Sequence, residues 1–316
     1  MRRSSRPARQ HAASERANII NYCASRRRWA RQHGVKGHLY VTERGTSHVT
    51  TSKQTTMRVS YPFDGARYEA ASHCQREWGI ELVQELPLSG DEAILDLGCG
   101  NGIITRALAD RVPHGRVVGV DSSPSMLKAA EAHKTANMEL KLLDIADIAF
   151  AAEFNVIFSN AALHWVLDHG KLLRRICEAL KPRGFVRVQF GGAGNIVHLI
   201  AIVREVLSDP EYAPWFVLFR WPWYMPFVED YEALLAQTEF RQYRVWMANR
   251  DRQFTDEQEL IHMVEEAGLV PFLAALPDEK KPRFRDTVIE RLIARTRQPD
   301  GRCFETFRRI NVYAEK

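Results

Sequence analysis

Three carboxylates stand at or near the ends of successive apolar runs. Asp96 lies inside ILDLGCGNG (94–102), Asp121 closes RVVGVD (116–121) and Asp144 sits in LLDI (142–145). After Asp96, Gly98, Gly100 and Gly102 recur at every second position, with Cys99 and Asn101 between them. A glycine-rich turn after a strand usually cradles a nucleotide-like ligand. A phosphate-binding loop needs Gly-x4-Gly-Lys-Ser/Thr, and no Lys follows here. The dinucleotide fingerprint G-x-G-x-x-G also fails, because position 103 is Ile and Gly102 comes one place early. A carboxylate at 96 would repel a pyrophosphate and attract an ammonium group. Nineteen residues past Gly102, Asp121 suits a pair of ribose hydroxyls, and Asp144 suits an exocyclic amine.

These carboxylates need a scaffold that brings strand ends together. The residues predict strands at 93–97, 116–120, 140–143, 154–159 and 185–190. Helices are predicted at 68–86, 103–111, 124–133 and around 172–180. Cys74, Trp78, Leu82 and Leu86, four apart, share a face of the first helix. Ser123 caps the third with Pro124 in its first turn, and Pro182 and Gly184 stop the last. Strict β/α alternation predicts a doubly wound parallel sheet whose ligand lies beyond the carboxyl ends of the strands. The alternation then breaks. Residues 191–229 read as helix followed by an aromatic-rich stretch, 231–238 as helix, 243–247 as strand, 255–298 as helical and 307–314 as a last strand. Two inserts, 191–229 and 255–298, suggest a lid over the strand ends. A ligand that is cationic at one end, a ribose in the middle and an amino-bearing base at the other is S-adenosylmethionine.

At this point the chain resembles the class I S-adenosylmethionine-dependent methyltransferases. ILDLGCGNG, VVGVDSSPSML (117–127), LLDI, FNVIFSNAALHWVLDH (154–169) and LKPRGFVRVQF (180–190) match their five motifs. The last two, and the tail from AGLVPF to FRRINVYAEK, are similar to trans-aconitate methyltransferases. The resemblance covers about 61–316. It implies a Rossmann-like sheet of order 3-2-1-4-5-7-6, strand seven antiparallel, with a helical and aromatic lid after strands five and six. It also implies that Asp96, Gly98, Cys99, Gly100, Asn101 and Gly102 face the methionine part, and Asp121 with Ser122 the ribose. Met126, Asp144 and Ile145 would surround the adenine, and Asn160 and Ala161 would lie near the sulfonium. Arg183 departs from the glycine usual at that turn.

Methyl transfer from a sulfonium is an in-line displacement that needs no metal, only alignment and the exclusion of water. An amine or phenol acceptor must lose a proton, whereas a carboxylic acid, with a pKa of about 4, is already ionised. Ser159-Asn160-Ala161-Ala162 is not the Asn/Asp-Pro-Pro-aromatic signature of base or amide N-methylation. A carboxylate acceptor calls for cationic or hydrogen-bonding anchors, for which His164, Trp165, Arg220 and Arg309 are candidates, with Trp223 and Tyr224. Arg220 stands out on the expectation that it is buried, since a buried guanidinium needs an anion. His164 equally suits a loop-holding role and Trp165 a packing role. The seven aromatics of 213–227 suit either a pocket wall or a core. The leading expectation is O-methylation of a small di- or tricarboxylic acid. Another small natural product (O, N or C) or a carrier-protein-bound acid remains open.

Charge divides the chain. Residues 1–56 carry 12 Lys/Arg against two acids, net +10, which leaves −5 on the rest of a chain whose total is +5. The acidic body gives no electrostatic footprint for nucleic acid. The basic segment reads as a disordered tail, an organelle transit peptide or an extension upstream of Met57, and RNA binding stays open for it alone. Five cysteines (Cys23, Cys74, Cys99, Cys177, Cys303) with no C-x-x-C pair suit a reduced, cytoplasmic protein without a zinc site. No apolar run is long enough for a membrane-spanning helix.

Overall fold

The computed structural model describes residues 73–316. The basic segment 1–56 and the first residues of the helix expected at 68–86 lie outside the described residues. That helix is α1 (His73–Gln84), which ends two residues before the expected Leu86. It is followed by β1 (Ala93–Leu97), α2 (Ile103–Arg111), β2 (Arg116–Asp121), α3 (Pro124–Ala130), β3 (Met138–Leu142), β4 (Phe154–Asn160), α4 (His169–Ala179) and β5 (Leu180–Gly191). Ser123 Oγ accepts from Met126 N at 3.3 Å with Pro124 in the first turn, as capping requires. The helix expected around 172–180 runs from His169 to Ala179, and Leu180 already turns extended and pairs with Phe154. Arg183 then adopts φ +65°, a left-handed conformation that costs a side-chain-bearing residue about 1–2 kcal/mol.

The seven-stranded sheet has the order β3-β2-β1-β4-β5-β9-β6, where β6 is Gln242–Asn249 and β9 is Arg308–Glu315. Counting β9 as the seventh strand, this is the order 3-2-1-4-5-7-6. β1 to β5 are parallel, and β9 runs antiparallel to both of its neighbours. Side chains alternate between faces, as a pleated strand dictates. Leu95, Val118, Ile157, Val188 and Val312 pack towards α4 and α6 (Val228–Leu235). Ile94, Val117, Val156 and Phe158 pack towards α1 and α2.

Both inserts leave the same edge of the sheet. The first follows the carboxyl end of β5 with α5 (Val197–Leu207) and the aromatic stretch. The second lies between β6 and β9. It holds β7 (Arg252–Phe254), α7 (Glu257–Met263), a wide turn of π-helix (Val264–Gly268), α8 (Val270–Ala274), α9 (Lys281–Thr296) and β8 (Cys303–Glu305). β7 and β8 form a two-stranded sheet absent from the sequence expectation, since three residues give no periodicity to read. The inserts share one apolar core that includes Leu199, Phe216, Trp223, Phe272, Phe284 and Leu292. Glu305, fully buried on β8, joins them further: its carboxylate accepts from His198 N and Leu199 N at the start of α5. No helix of the described residues is long and apolar enough to cross a membrane.

Candidate active site

The glycine turn hangs from β2 by main-chain bonds. Gly98 N and Cys99 N both donate to Val120 O, at 2.9 and 3.0 Å. Gly98, Gly100 and Gly102 all have positive φ, a region open to glycine at no steric cost. Gly98 has a second reason to be glycine: a Cβ there would lie 2.2 Å from Ala162 Cβ and 3.2 Å from Ile145 Cδ1. A Cβ on Gly102 would lie 2.8 Å from that of Ala130, whereas one on Gly100 would meet nothing within 4 Å. The turn is thus packed from behind and open at its crest.

The three carboxylates differ in setting. Asp96 is 2 % exposed and accepts from Thr105 Oγ1 at 2.7 Å, which ties β1 to α2. Burial, with the Asp121 charge adding, raises its pKa to about 7. It braces the turn from within. Asp121 is half-buried at the end of β2, where Gly100 N donates to Oδ2 at 3.0 Å and Ser123 N to Oδ1 at 2.8 Å. Burial raises its pKa, against the lowering effect of these amides. Asp144 accepts from Ala146 N at 2.8 Å and caps the short turn Ile145–Asp147. Met126 and Ile145 are buried beside these strand ends and Ser122 is exposed. At the end of β4, Asn160 Nδ2 donates to Gln75 O on α1, and Ala161 holds φ +59°. Asn101 Nδ2, Asn160 Oδ1 and Gln75 Oε1 are enclosed with no hydrogen-bond partner.

Comparison with known proteins decides the family. Residues 94–184 match the model of a methyltransferase domain. The chain is 32% identical over 238 residues to a trans-aconitate 2-methyltransferase of Mycobacterium tuberculosis, covering 74% of this chain and 89% of that one. The chain belongs to the class I S-adenosylmethionine-dependent methyltransferases. A trans-aconitate 2-methyltransferase of an Acidovorax species is 28% identical over 259 residues, covering 81% of this chain and 99% of that one. In fold, the chain is similar to a loganic acid methyltransferase at TM-score 0.62 and 13% identity, covering 81% of this chain and 99% of that chain. The chain's own residues fit S-adenosylmethionine: the crest of the glycine turn is open at Gly100, the Asn101 amide has a donor to spare, and an Asp ends β2 and another follows β3 two residues on.

The other residues singled out in the sequence lie across the strand ends. Arg309 on β9 is 3 % exposed, its Nε donates to Gln189 Oε1 at 3.4 Å, and its guanidinium lies 5.3 Å from the centre of the Trp78 ring. Burial, with the Arg309 charge adding, lowers the His164 pKa to about 3, so that imidazole is neutral. His164 Nδ1 is enclosed and has no hydrogen-bond partner. The His164 carbonyl accepts from Tyr224 N at 2.8 Å, which joins the β4 loop to the first insert. Trp165 meets Trp223 edge-on at 5.8 Å, and Trp223 meets Trp221 and Phe272. The aromatic stretch therefore closes a core between the inserts, while the Trp223 indole nitrogen stays enclosed without a partner. Arg220 is exposed and so lacks the burial expected of it, whereas Arg187 and Arg309 are the buried arginines among the described residues. Sequence reading missed Trp78 and Gln189. The signal for Gln189 was there, a polar residue at an inward position of the apolar strand VRVQF.

Proposed function

We propose that this methyltransferase esterifies a carboxylate of a small di- or tricarboxylic acid. We also propose that residues 57–316 form the catalytic unit, with inserts 191–229 and 255–298 as its lid. The observation that carries this reading is the pairing of a buried guanidinium, Arg309, with a neutral His164 whose Nδ1 is unsatisfied. A guanidinium taken out of water favours an anion, and a planar carboxylate matches its fork. The trans-aconitate 2-methyltransferases among the relatives support the same substrate class.

When bound, S-adenosylmethionine supplies an electrophilic methyl group that passes to an acceptor oxygen and leaves S-adenosylhomocysteine. In this reading Asp121 accepts the ribose hydroxyls while Gly100 N and Ser123 N hold its carboxylate in place. Asn101 and Asn160 supply polar atoms to the methionine end. Arg309 grips a carboxylate remote from the reacting one and so aims the nucleophile, which is the main catalytic task when no proton has to be removed. The aromatic core of the lid keeps water from the strand ends.

The test is methyl transfer from labelled cofactor across a panel of mono-, di- and tricarboxylic acids, followed by mild base. Labelled product that releases methanol in base is the expected result. Base-stable product moves the acceptor atom to a hydroxyl, amine or carbon and overturns the reading.

A further inference from the structure

A line of buried polar groups runs beneath α1 on the face of the sheet that also carries the apolar Ile94, Val117, Val156 and Phe158. It starts at the surface with Glu85, whose Oε2 accepts from Arg187 Nη2 at 2.8 Å. Arg187 Nη1 donates to Asn311 Oδ1 at 3.1 Å, and Gln189 Nε2 donates to the same oxygen at 3.0 Å. Asn311 Nδ2 donates to Arg309 O at 3.1 Å, and the line ends where Arg309 Nε donates to Gln189 Oε1. Arg187, Gln189, Arg309 and Asn311 are all buried. In the β5–β9 register Gln189 faces Asn311 and Gly191 faces Arg309, so the line follows the strands towards the active-site edge.

Donor and acceptor chemistry orients every member. A guanidinium only donates. Arg187 therefore requires the Asn311 oxygen, and that oxygen in turn draws the Gln189 NH2 group. The Gln189 carbonyl is left pointing at Arg309, which also only donates. No amide in the line can flip without setting donor against donor, a costly arrangement in a buried network. At the far end, the Gln189 oxygen fixes the direction of the Arg309 fork and the Trp78 ring fixes its plane.

We infer that Gln189 is a positioning residue for acceptor choice: by orienting Arg309 it makes the site prefer acids with a second carboxylate. This rests on the proposed reading of Arg309 as the carboxylate anchor. The test uses the full chain, with trans-aconitate and the monocarboxylate crotonate as acceptor probes and S-adenosylhomocysteine as the cofactor probe. Gln189→Leu is expected to lower kcat/KM for trans-aconitate by about tenfold or more, through KM, the loss expected when a charge-assisted hydrogen bond is misaligned. Crotonate turnover and the Kd for S-adenosylhomocysteine stay unchanged. Gln189→Glu keeps an oxygen on Arg309 but adds a competing charge. It is expected to lose trans-aconitate further while sparing crotonate, an outcome a merely structural residue would not give. Equal loss of both acids, or weakened S-adenosylhomocysteine binding, overturns the inference. Arg309→Leu separates the two readings. If it abolishes the preference while both Gln189 variants keep it, the positioning role falls and the anchor stands. If Arg309→Leu keeps the preference, or the unmodified chain shows none, both fall.

Discussion

The two halves of the proposed site are built differently. The cofactor half is made of backbone: a turn hung from Val120 O, glycines at positive φ, and a carboxylate held by two amides. Its parts lie within about one βαβ unit, and each is fixed by main-chain geometry. The proposed acceptor half is made of side chains brought from remote parts of the chain: Trp78 from α1, His164 after β4, Trp223 from the first insert and Arg309 from β9, with Gln189 of β5 behind Arg309. A backbone cradle suits a ligand that never changes. Side chains on a separate core suit one that varies between relatives, since they can be exchanged without disturbing the turn.

The strongest way to break this contrast is at Gly98. Gly98→Ala sets a methyl group 2.2 Å from Ala162 Cβ at φ +76°, so overpacking adds to backbone strain, about 2–5 kcal/mol together. Gly100→Ala, at φ +52° with open space above it, carries only the strain of about 1–2 kcal/mol. Thermal unfolding is expected to rank Gly98→Ala well below Gly100→Ala, with cofactor binding lost in the former. Equal melting temperatures would mean that the turn yields and is not braced by Ala162.

Next in size is a crossed pair. Asp121→Ala removes the proposed ribose acceptor and leaves Gly100 N and Ser123 N without their partner. Cofactor affinity is expected to fall about 10- to 100-fold, the range for hydrogen bonds to a charged group. Arg309→Leu is expected to leave that affinity alone and raise the acceptor KM. Calorimetry with S-adenosylhomocysteine and steady-state kinetics read the two sides separately. Cofactor loss in the Arg309 variant would merge the halves into one site.

Acidity sharpens the contrast, because the halves respond to pH in opposite senses. His164 has a pKa of about 3 and His169 of about 4, both lowered chiefly by burial from 6.5. Across that window the unfolded chain binds more protons, so their contribution is lost as pH falls from 6.5. Asp96 is raised to about 7 from 3.8, so here the folded chain binds more protons and stability is lost as pH rises between those values. Denaturant titrations from pH 4 to 8 are expected to show Asp96→Asn removing the decline that runs up to about pH 7 and His164→Gln the acid loss below pH 6.5, each by on the order of a few kcal/mol. An unchanged acid limb in His164→Gln would show that this imidazole is not buried neutral.

The same contrast explains what the sequence made legible. ILDLGCGNG and the Asp residues at 121 and 144 are local signals whose spacing depends on one strand and one turn, and alternation predicted the sheet from β1 to β5. Ser123 with Pro124 marked its helix start because capping is local too. Gln189 meeting Arg309, by contrast, depends on β9 returning antiparallel beside β5, a pairing 120 residues apart. Nothing in either segment alone reports it. The aromatic stretch was visible as composition, but whether its rings line a pocket or close a core depends on Phe272 arriving from the second insert. Arg220 shows the limit most plainly: a charge amid aromatics reads as buried until the local turn shows it facing water.

The smallest expected effect is therefore at Arg220. Val217 and Leu218 beside it are 63 % and 94 % exposed, so this segment stands away from the shared core. Arg220→Ala is expected to change stability by no more than about 0.5 kcal/mol, as at ordinary surface positions, and to leave cofactor affinity and acceptor KM within about twofold. A rise in acceptor KM of about tenfold, or 1.4 kcal/mol, would carry a different meaning. The segment would then have to fold over the acceptor on binding, burying both the guanidinium and its apolar neighbours. Leu218→Ser would separate that case from a direct charge effect, since it removes apolar cover and leaves the guanidinium in place. A matching loss in Leu218→Ser would make the lid a moving part, whereas an Arg220 effect alone would mean long-range attraction of an anionic acceptor, which added salt abolishes.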